Sequence, residues 1–390
     1  MKKKINAGLF CLASLFTIFV FHGCLEDRNT TLILDNSSET IAGIPSDSKA
    51  KPNPIIESAT TQIPNFQCTV VQKEGHSILL INMTGIYDKE TKEWLRLAGT
   101  GGGKIEQNVW LSIDNKPKGI AVYNNADKEG EVIFMSDVVF LVDNSGSMSE
   151  EANAIARDIV DWAYELDNSE LDVRFGCVGY SENGYVNGAI NITNVNSLST
   201  YLNRSSGTNR TMGFGGSDAN VLQSLANPYR NNADECGVLA LRFADENFSF
   251  RDGSLRTYVN FTDEPNQPGG YEKWSVEYVN SSKNWGMSKG TIHTVFSADT
   301  TFVERPLYAE KPWKMSRYTG GTEIYPPSNF SGVSLNTLPV TGALQNSYEI
   351  RTVVDNYMDG EEHVITLTVF TKDGIVRAEK VISTLFYSAE

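Results

Sequence analysis

Val138 to Val142 form an unbroken apolar run, VVFLV, that stops at Asp143 and gives way to Asn144, Ser145, Gly146 and Ser147. An uninterrupted apolar run bounded by turn-forming residues marks a strand covered on both faces, as in a parallel sheet. Directly behind it, Ala152, Ile155, Ala156, Ile159, Trp162, Ala163 and Leu166 recur at helical spacing, which predicts an amphipathic helix over 149–166. The alternation continues downstream. Strands are expected at 171–180 and 185–193, then a helix near 196–203 and helical segments at 219–227 and 235–246. The strand RTYVNF, a helix at 271–283, the strand TIHTVFS, a helix near 306–318 and the strand GGTEIY follow. A last helix over 334–346 carries Pro339, which either kinks it or restricts its start. Strands alternating with helices predict an α/β fold, a doubly wound and mostly parallel domain over 131–346.

The flanks have a different texture. Residues 66–130 hold the short strand-like runs CTVV, HSILLINMT, WLRLAG, NVWLSI and GIAVYN, broken by Gly, Asp, Asn and Lys. Residues 347–390 alternate in SYEIRTVVD, HVITLTVFT and IVRAEKVIST, with Asp359-Gly360 and Asp373-Gly374 as turns. About three strands do not bury a core alone. The two flanks are therefore expected to complete one β-sandwich into which the α/β domain is inserted, with two separate small β modules as the alternative. Residues 24–65, rich in Ser, Thr, Asn, Pro and Lys, suggest a flexible tether. Residues 1–23 have the form of a targeting segment: Lys2, Lys3 and Lys4, then an apolar core from Leu9 to Phe21 that is too short to span a bilayer.

Composition narrows the function. Hydrophobic residues are 40% and charged residues 21%, an ordinary globular balance. The formal net charge is −15 and becomes more negative once Lys2 to Lys4 are removed, so no basic face is expected for nucleic acid. Past Cys11 and Cys24 the chain has Cys68, Cys177 and Cys236, an odd number with no zinc-like spacing. Cys177 lies in an apolar run, as a buried thiol would. His76, His293 and His363 are scattered, and neither H-E-x-x-H nor G-x-S-x-G occurs. Gly99 to Lys104 is not a phosphate loop, because Ala98 and Ile105 stand where that motif needs Gly and Ser or Thr. An enzyme is not expected, nor a small-molecule substrate.

The chemistry concentrates after VVFLV. In open α/β sheets ligands bind at the carboxyl ends of the strands. Asp143, Ser145 and Ser147 sit on such a loop, and oxygen-only ligands suit a hard cation. Strand, D-x-S-x-S and helix in this order resemble the metal-ion-dependent adhesion site of a von Willebrand factor type A (VWA) domain. YTGGTEIY is similar to the end of many such domains. The resemblance implies a Rossmann-like fold and a bound Mg²⁺, or Mn²⁺ or Ca²⁺. It also implies a last metal ligand at Asp263 in FTDEP. For the middle ligand two positions stay open. Glu235 in ECGVLAL resembles the helix-opening Glu of integrin β-chains, one helix and one strand before Asp263. Ser217 after Gly215-Gly216 resembles the commoner hydroxyl. The spacing favours Glu235. Glu150 and Glu151 match the offset at which integrin β-chains hold a second metal. Ser147 and Glu150 also have capping-box spacing, and acids belong in a first helical turn.

The N-terminal segment resembles a bacterial lipoprotein signal lipidated at Cys24, although Phe21 and His22 depart from that motif. Leu25 after the cysteine is similar to outer-membrane sorting, and Glu26 and Asp27 resemble surface-export signals. These resemblances together imply a surface-anchored, metal-dependent adhesion or protein-binding module. Its partner would present an Asp or Glu carboxylate, and its own membrane contact would be a lipid anchor only. The alternative is a structural subunit or tip of a surface filament or envelope assembly, in which metal mainly stabilises the domain.

Overall fold

The computed structural model describes residues 40–88, 91–127, 134–149, 151–168, 171–204, 210–327, 339–371 and 377–385. The signal segment, Cys24, Glu150 and the start of the expected helix 334–346 lie outside the described residues.

Two short strands, β1 (Thr40–Ile41) and β2 (Ile44–Pro45), open the described chain. The first flank then gives β3 (Phe66–Lys73), β4 (His76–Met83), β5 (Tyr87–Asp88), β6 (Glu93–Trp94), β7 (Val109–Ile113), β8 (Lys116–Lys118) and β9 (Ala121–Asn124). The expected strand WLRLAG is reduced to its first residue. Glu93–Trp94 pairs with Tyr87–Asp88 as a small ribbon. The following backbone is held irregularly instead: Asn124 Oδ1 accepts from Leu97 N and Asn108 Oδ1 from Ala98 N.

The middle of the chain supplies β10 (Met135–Asp143), α1 (Ala152–Asp167), β11 (Asp172–Tyr180), β12 (Val186–Thr193), α2 (Val195–Asn203), α3 (Ala219–Leu225), α4 (Gly237–Asn247) and β13 (Leu255–Thr262). After these come α5 (Val276–Val279), β14 (Thr291–Phe296), α6 (Trp313–Thr319), β15 (Glu323–Ile324) and α7 (Pro339–Gln345). Six strands form one sheet in the order β12-β11-β10-β13-β14-β15, parallel except for β12 at its edge. VVFLV is at its centre, flanked on both sides, and every residue from Val138 to Val142 is buried. Side chains of one face pack with α1, α2 and α7. Those of the other pack with α3, α4, α5 and α6. The domain is doubly wound, as its alternation predicts.

Two helices are shorter than expected. The segment 271–283 forms only a 3₁₀ turn at Glu272–Trp274 and one helical turn in α5, because Ser275 interrupts it as an N-cap accepting from Tyr278 N. The helix near 306–318 is confined to α6. Residues before it make an extended loop, with Asn266 and Glu310 bridged backbone to backbone at 2.9 Å. Pro339 is the first described residue of α7, and the expected helix before it lies outside the described residues.

The second flank returns as β16 (Tyr348–Val353), β17 (Glu362–Phe370) and β18 (Arg377–Leu385). They do not form a separate module. One sheet runs β3-β4-β16-β9 and the other β18-β17-β7-β8, so each contains strands from both flanks. Phe66, Leu79, Ile81, Leu111, Ile350, Leu367 and other inward residues of both sheets make a single core. The α/β domain is thus inserted into a β-sandwich. Its entry and exit are neighbours, since Asn124 at the end of β9 lies opposite Tyr348 at the start of β16.

Candidate metal centre

Asp143 is the last residue of β10, and its side chain is buried where the chain leaves the sheet. Its Oδ1 accepts from Ser145 N at 2.9 Å, which folds the loop back over the strand end. Its Oδ2 accepts from Thr262 Oγ1 at 2.9 Å, which ties the loop to the end of β13. Ser145 Oγ and Ser147 Oγ lie 2.9 Å apart, and Ser147 Oγ donates to Asp263 Oδ1 at 3.0 Å. Asp143, Ser145, Ser147 and Asp263 therefore stand together on the carboxyl ends of the two central strands. Ser147 faces Asp263, and its hydroxyl does not cap the helix: Glu151 is the N-cap residue of α1 and makes no side-chain cap bond. Glu151 is buried.

Glu235 lies just before α4, whose first residue Gly237 runs close over Asn260 of β13; a side chain there would meet the Asn260 amide at about 3.0 Å. This approach brings Glu235 toward the loops of β10 and β13. Gln267 anchors it twice, donating from its backbone N to Glu235 O at 2.8 Å and from Nε2 to Glu235 Oε2 at 3.2 Å. Ser217 is elsewhere. It is exposed before α3, and its neighbours Gly215 and Gly216 lie against Tyr201 and Ile190, on the β12 side of the sheet.

The electrostatics are those of crowded acids. Burial pushes the Asp143 carboxyl up to about 7, and the charge of Asp263 adds to it. Burial, a hydrogen bond with Asp234 and the charge of Asp143 raise Glu235 to about 9. Asp263 and Glu264 are also raised, first by burial, and Glu264 further by Asp263 and Asp234. Among the described residues no basic side chain figures among the leading influences on these four carboxyls. Two of the hydroxyls and three of the acids come from three separate loops, so the donor chemistry fits a hard cation. Among the described residues no three His, Cys, Asp or Glu side chains draw together into a closed metal cluster. A cation here would lean on hydroxyl and water oxygens as much as on carboxylates.

Other residues that shape the loop were not singled out from sequence. Asn144 faces the opposite way from Asp143. It donates to Asn187 Oδ1 at 2.9 Å, and its own Oδ1 accepts from Thr211 Oγ1. Gly146 N donates to Glu182 Oε2 at 2.9 Å. Tyr180 is buried beside Asp143 and donates to Asn260 Oδ1 at 3.1 Å. These are isolated polar residues within runs, and no local spacing marks them. Cys68, Cys177 and Cys236 are free thiols, the last two buried.

No protein-family model matches the chain, and no curated protein does. Among solved structures it is similar to the open conformation of the pilus adhesin SpaC from Lactobacillus rhamnosus GG, at 11% identity and a TM-score of 0.29 over 82% of this chain. The chain spans 55% of that adhesin. It is also similar to manganese-loaded TRAP from Plasmodium vivax, at 11% identity and a TM-score of 0.29 over 70% of this chain and 99% of that one. A third is the ArnB paralog VWA2 from Sulfolobus acidocaldarius, at 8% identity and a TM-score of 0.26, covering 85% and 74% of the two chains. The strand order and the loops around Asp143 are what define the fold as VWA-like.

Proposed function

We propose that the protein is a surface-anchored adhesion or protein-binding module that captures a partner's carboxylate through a divalent cation. The observation that carries this reading is the convergence of Asp143, Ser145, Ser147 and Asp263, with Glu235 alongside, in a cluster of raised carboxyls that no basic group offsets. Asp143 and Asp263 would hold the ion with the two serine hydroxyls, and Glu235 rather than Ser217 would supply the middle oxygen. Mg²⁺ takes six oxygens and keeps several waters, so a partner Asp or Glu exchanges with one of them. Glu150 and Glu151 remain the candidates for an adjacent second ion.

Lipidation at Cys24 would hold the protein at the outer membrane, facing outward. Residues 40–65, expected to belong to the flexible tether, instead pack on the sandwich: Ile44 packs with Ile78 and Ala121, Lys118 pairs with Asp47, and Asn53 Nδ2 donates to Thr366 O at 3.1 Å. An anchor ahead of residue 40 would therefore attach on the sandwich.

A pull-down with residues 25–390 against envelope and host-matrix proteins tests the reading. Capture is expected in Mg²⁺ and lost in EDTA and in Asp143→Ala, with the far-UV circular dichroism unchanged. Capture undiminished by EDTA refutes it. A melting temperature that falls sharply on chelation, with no partner captured, favours a structural subunit of a surface assembly instead. Calorimetric Mg²⁺ titration of Glu235→Gln and Ser217→Ala assigns the middle oxygen: the first variant should weaken binding at least tenfold and the second leave it unchanged.

A further inference from the structure

Glu235 is held from outside its own segment. Helix α4 starts without a cap of its own, since Cys236 makes no side-chain cap bond. The first N–H groups of a helix find no partner inside it. Here the partner comes from the loop after β13, which carries Asp263 and runs on through Asn266 and Gln267. Asn266 Oδ1 accepts from Val238 N at 3.2 Å and from Cys236 Sγ at 3.2 Å. Gln267 continues the strap. Its N donates to Glu235 O at 2.8 Å and its Nε2 to Glu235 Oε2 at 3.2 Å. Residues 266–267 thus bind the start of α4 along its backbone and also reach the Glu235 carboxyl.

Asn231 holds the strap in turn. It is 2% exposed and joins three loops. Its Nδ2 donates to Gln267 O at 2.5 Å and to Asp234 O at 3.4 Å. Its Oδ1 accepts from Ala233 N at 2.9 Å, and its backbone N donates to Gly184 O at 2.9 Å. A side chain on Gly184 would overlap the Asn231 amide, so the turn approaches Asn231 as closely as glycine allows. Gly184 closes the turn that begins at Ser181, and Glu182 within it accepts from Gly146 N at 2.9 Å. Gly146 stands between Ser145 and Ser147. From Asn231 the bonds therefore reach the loops of Ser145 and Ser147, of Glu235 and of Asp263.

The groups behind a metal ligand fix its orientation, and losing one weakens the metal. We propose that Gln267 and Asn231 are positioning residues of the candidate cation site. Gln267 orients the Glu235 carboxylate, and Asn231 locks Gln267 in place. Glu235 is thereby set in register with Asp263 before an ion arrives. This rests on Glu235 as the middle oxygen donor.

The test titrates the full chain with Mg²⁺ by calorimetry, as the parent, Gln267→Met, Glu235→Gln and the double variant. Methionine keeps the length of the side chain and every backbone bond and removes the donor to Glu235. Gln267→Met is expected to weaken Mg²⁺ about tenfold, with its melting temperature in EDTA unchanged. In the Glu235→Gln background it should cost nothing further, because it acts only through that carboxylate. A residue that merely stabilised the loops would weaken Mg²⁺ in both backgrounds. Without metal, Asn231→Ala should speed exchange of the Gln267 amide hydrogen about tenfold or more and leave the amides of β10 and β13 protected. If Asn231→Ala does not fold, Gln267→Met carries the test alone. Full Mg²⁺ affinity in Gln267→Met, an additive loss in the double variant, or an unchanged Gln267 amide in folded Asn231→Ala overturns the inference. Failure of the underlying reading appears in a different protein: Glu235→Gln would then bind Mg²⁺ as tightly as the parent.

Discussion

Asp143 is asked to be a carboxylate in a place that favours the acid. Its raised pKa sets the sign of a pH effect. The folded state holds the proton more tightly than the unfolded chain, whose carboxyl titrates near 3.8. Stability from this group is complete below that value and is lost as pH rises toward about 7. Without metal, Asp143→Asn should therefore stabilise the protein at about pH 8, on the order of 1–3 kcal/mol, by removing a buried charge while keeping the shape. Chemical denaturation in EDTA measures it, and a destabilised variant would contradict the argument. A cation held as proposed by Asp143 and Glu235 would displace their protons, so calorimetric Mg²⁺ affinity should climb between about pH 6 and 8. An affinity flat across that range would mean that neither acid is a ligand. At this scale Asp143, Ser145 and Ser147 were legible from five consecutive residues. Thr262 was visible only as a strand end, and its hydroxyl bond to Asp143 Oδ2 depends on the pairing of β10 with β13.

Among the elements, α4 starts beside the acidic loops, and α7 packs between the core and the sandwich. Periodicity located α4, but its placement depends on Gly237, which lets the helix start close over Asn260. The helix α7 packs Val340 and Leu344 into the core beside α1, and Trp162 Nε1 donates to Thr341 Oγ1 at 2.6 Å. Its outer side meets the sandwich. A Cβ on Gly342 would overlap the Trp94 indole, and one on Gly85 would meet both Trp94 and Asn346. Gly342→Ala should accordingly cost about 1–3 kcal/mol through overpacking, and Trp94→Leu should recover part of that loss in the double variant. Thermal melts of the four proteins close the cycle, and strict additivity would show that the two do not touch in solution. The expected helix at 271–283 is cut short by a local cap and the one at 306–318 by a long-range bridge. Ser275 prefers to cap rather than continue, and the chain before α6 is committed to bridging Asn266 and Glu310.

Seen whole, the molecule closes through its insertion. β16 stands between β4 and β9, and β17 pairs with β7, so the sandwich core does not exist until the chain has passed through the α/β domain. A chain ending at Gln345 should leave β4 and β9 without β16 between them, and β7 without β17, so that only the β3–β4 and β7–β8 pairings remain. Hydrogen exchange should then show those amides unprotected while β10, β11 and β13 stay slow. Protection of β3 and β4 in the truncated chain would show that the first flank folds alone. Asn65 links the two parts, its Nδ2 donating to Gly290 O at 2.8 Å and its N to Thr319 O at 2.9 Å, as does Gln67 donating to Ser288 O at 2.6 Å. The sequence by itself determined what depends on neighbours along the chain: the buried central strand, the oxygen-bearing loop after it, the alternation of strands with helices, and the β character of both flanks. The tertiary structure alone decided what depends on distant segments meeting. It paired β9 with β16, brought Glu235 within electrostatic reach of Asp143, and set the loop before Ser217 against Tyr201 and Ile190 beside β12. Hydrophobic periodicity records which side of an element is buried, and it does not record what that side is buried against.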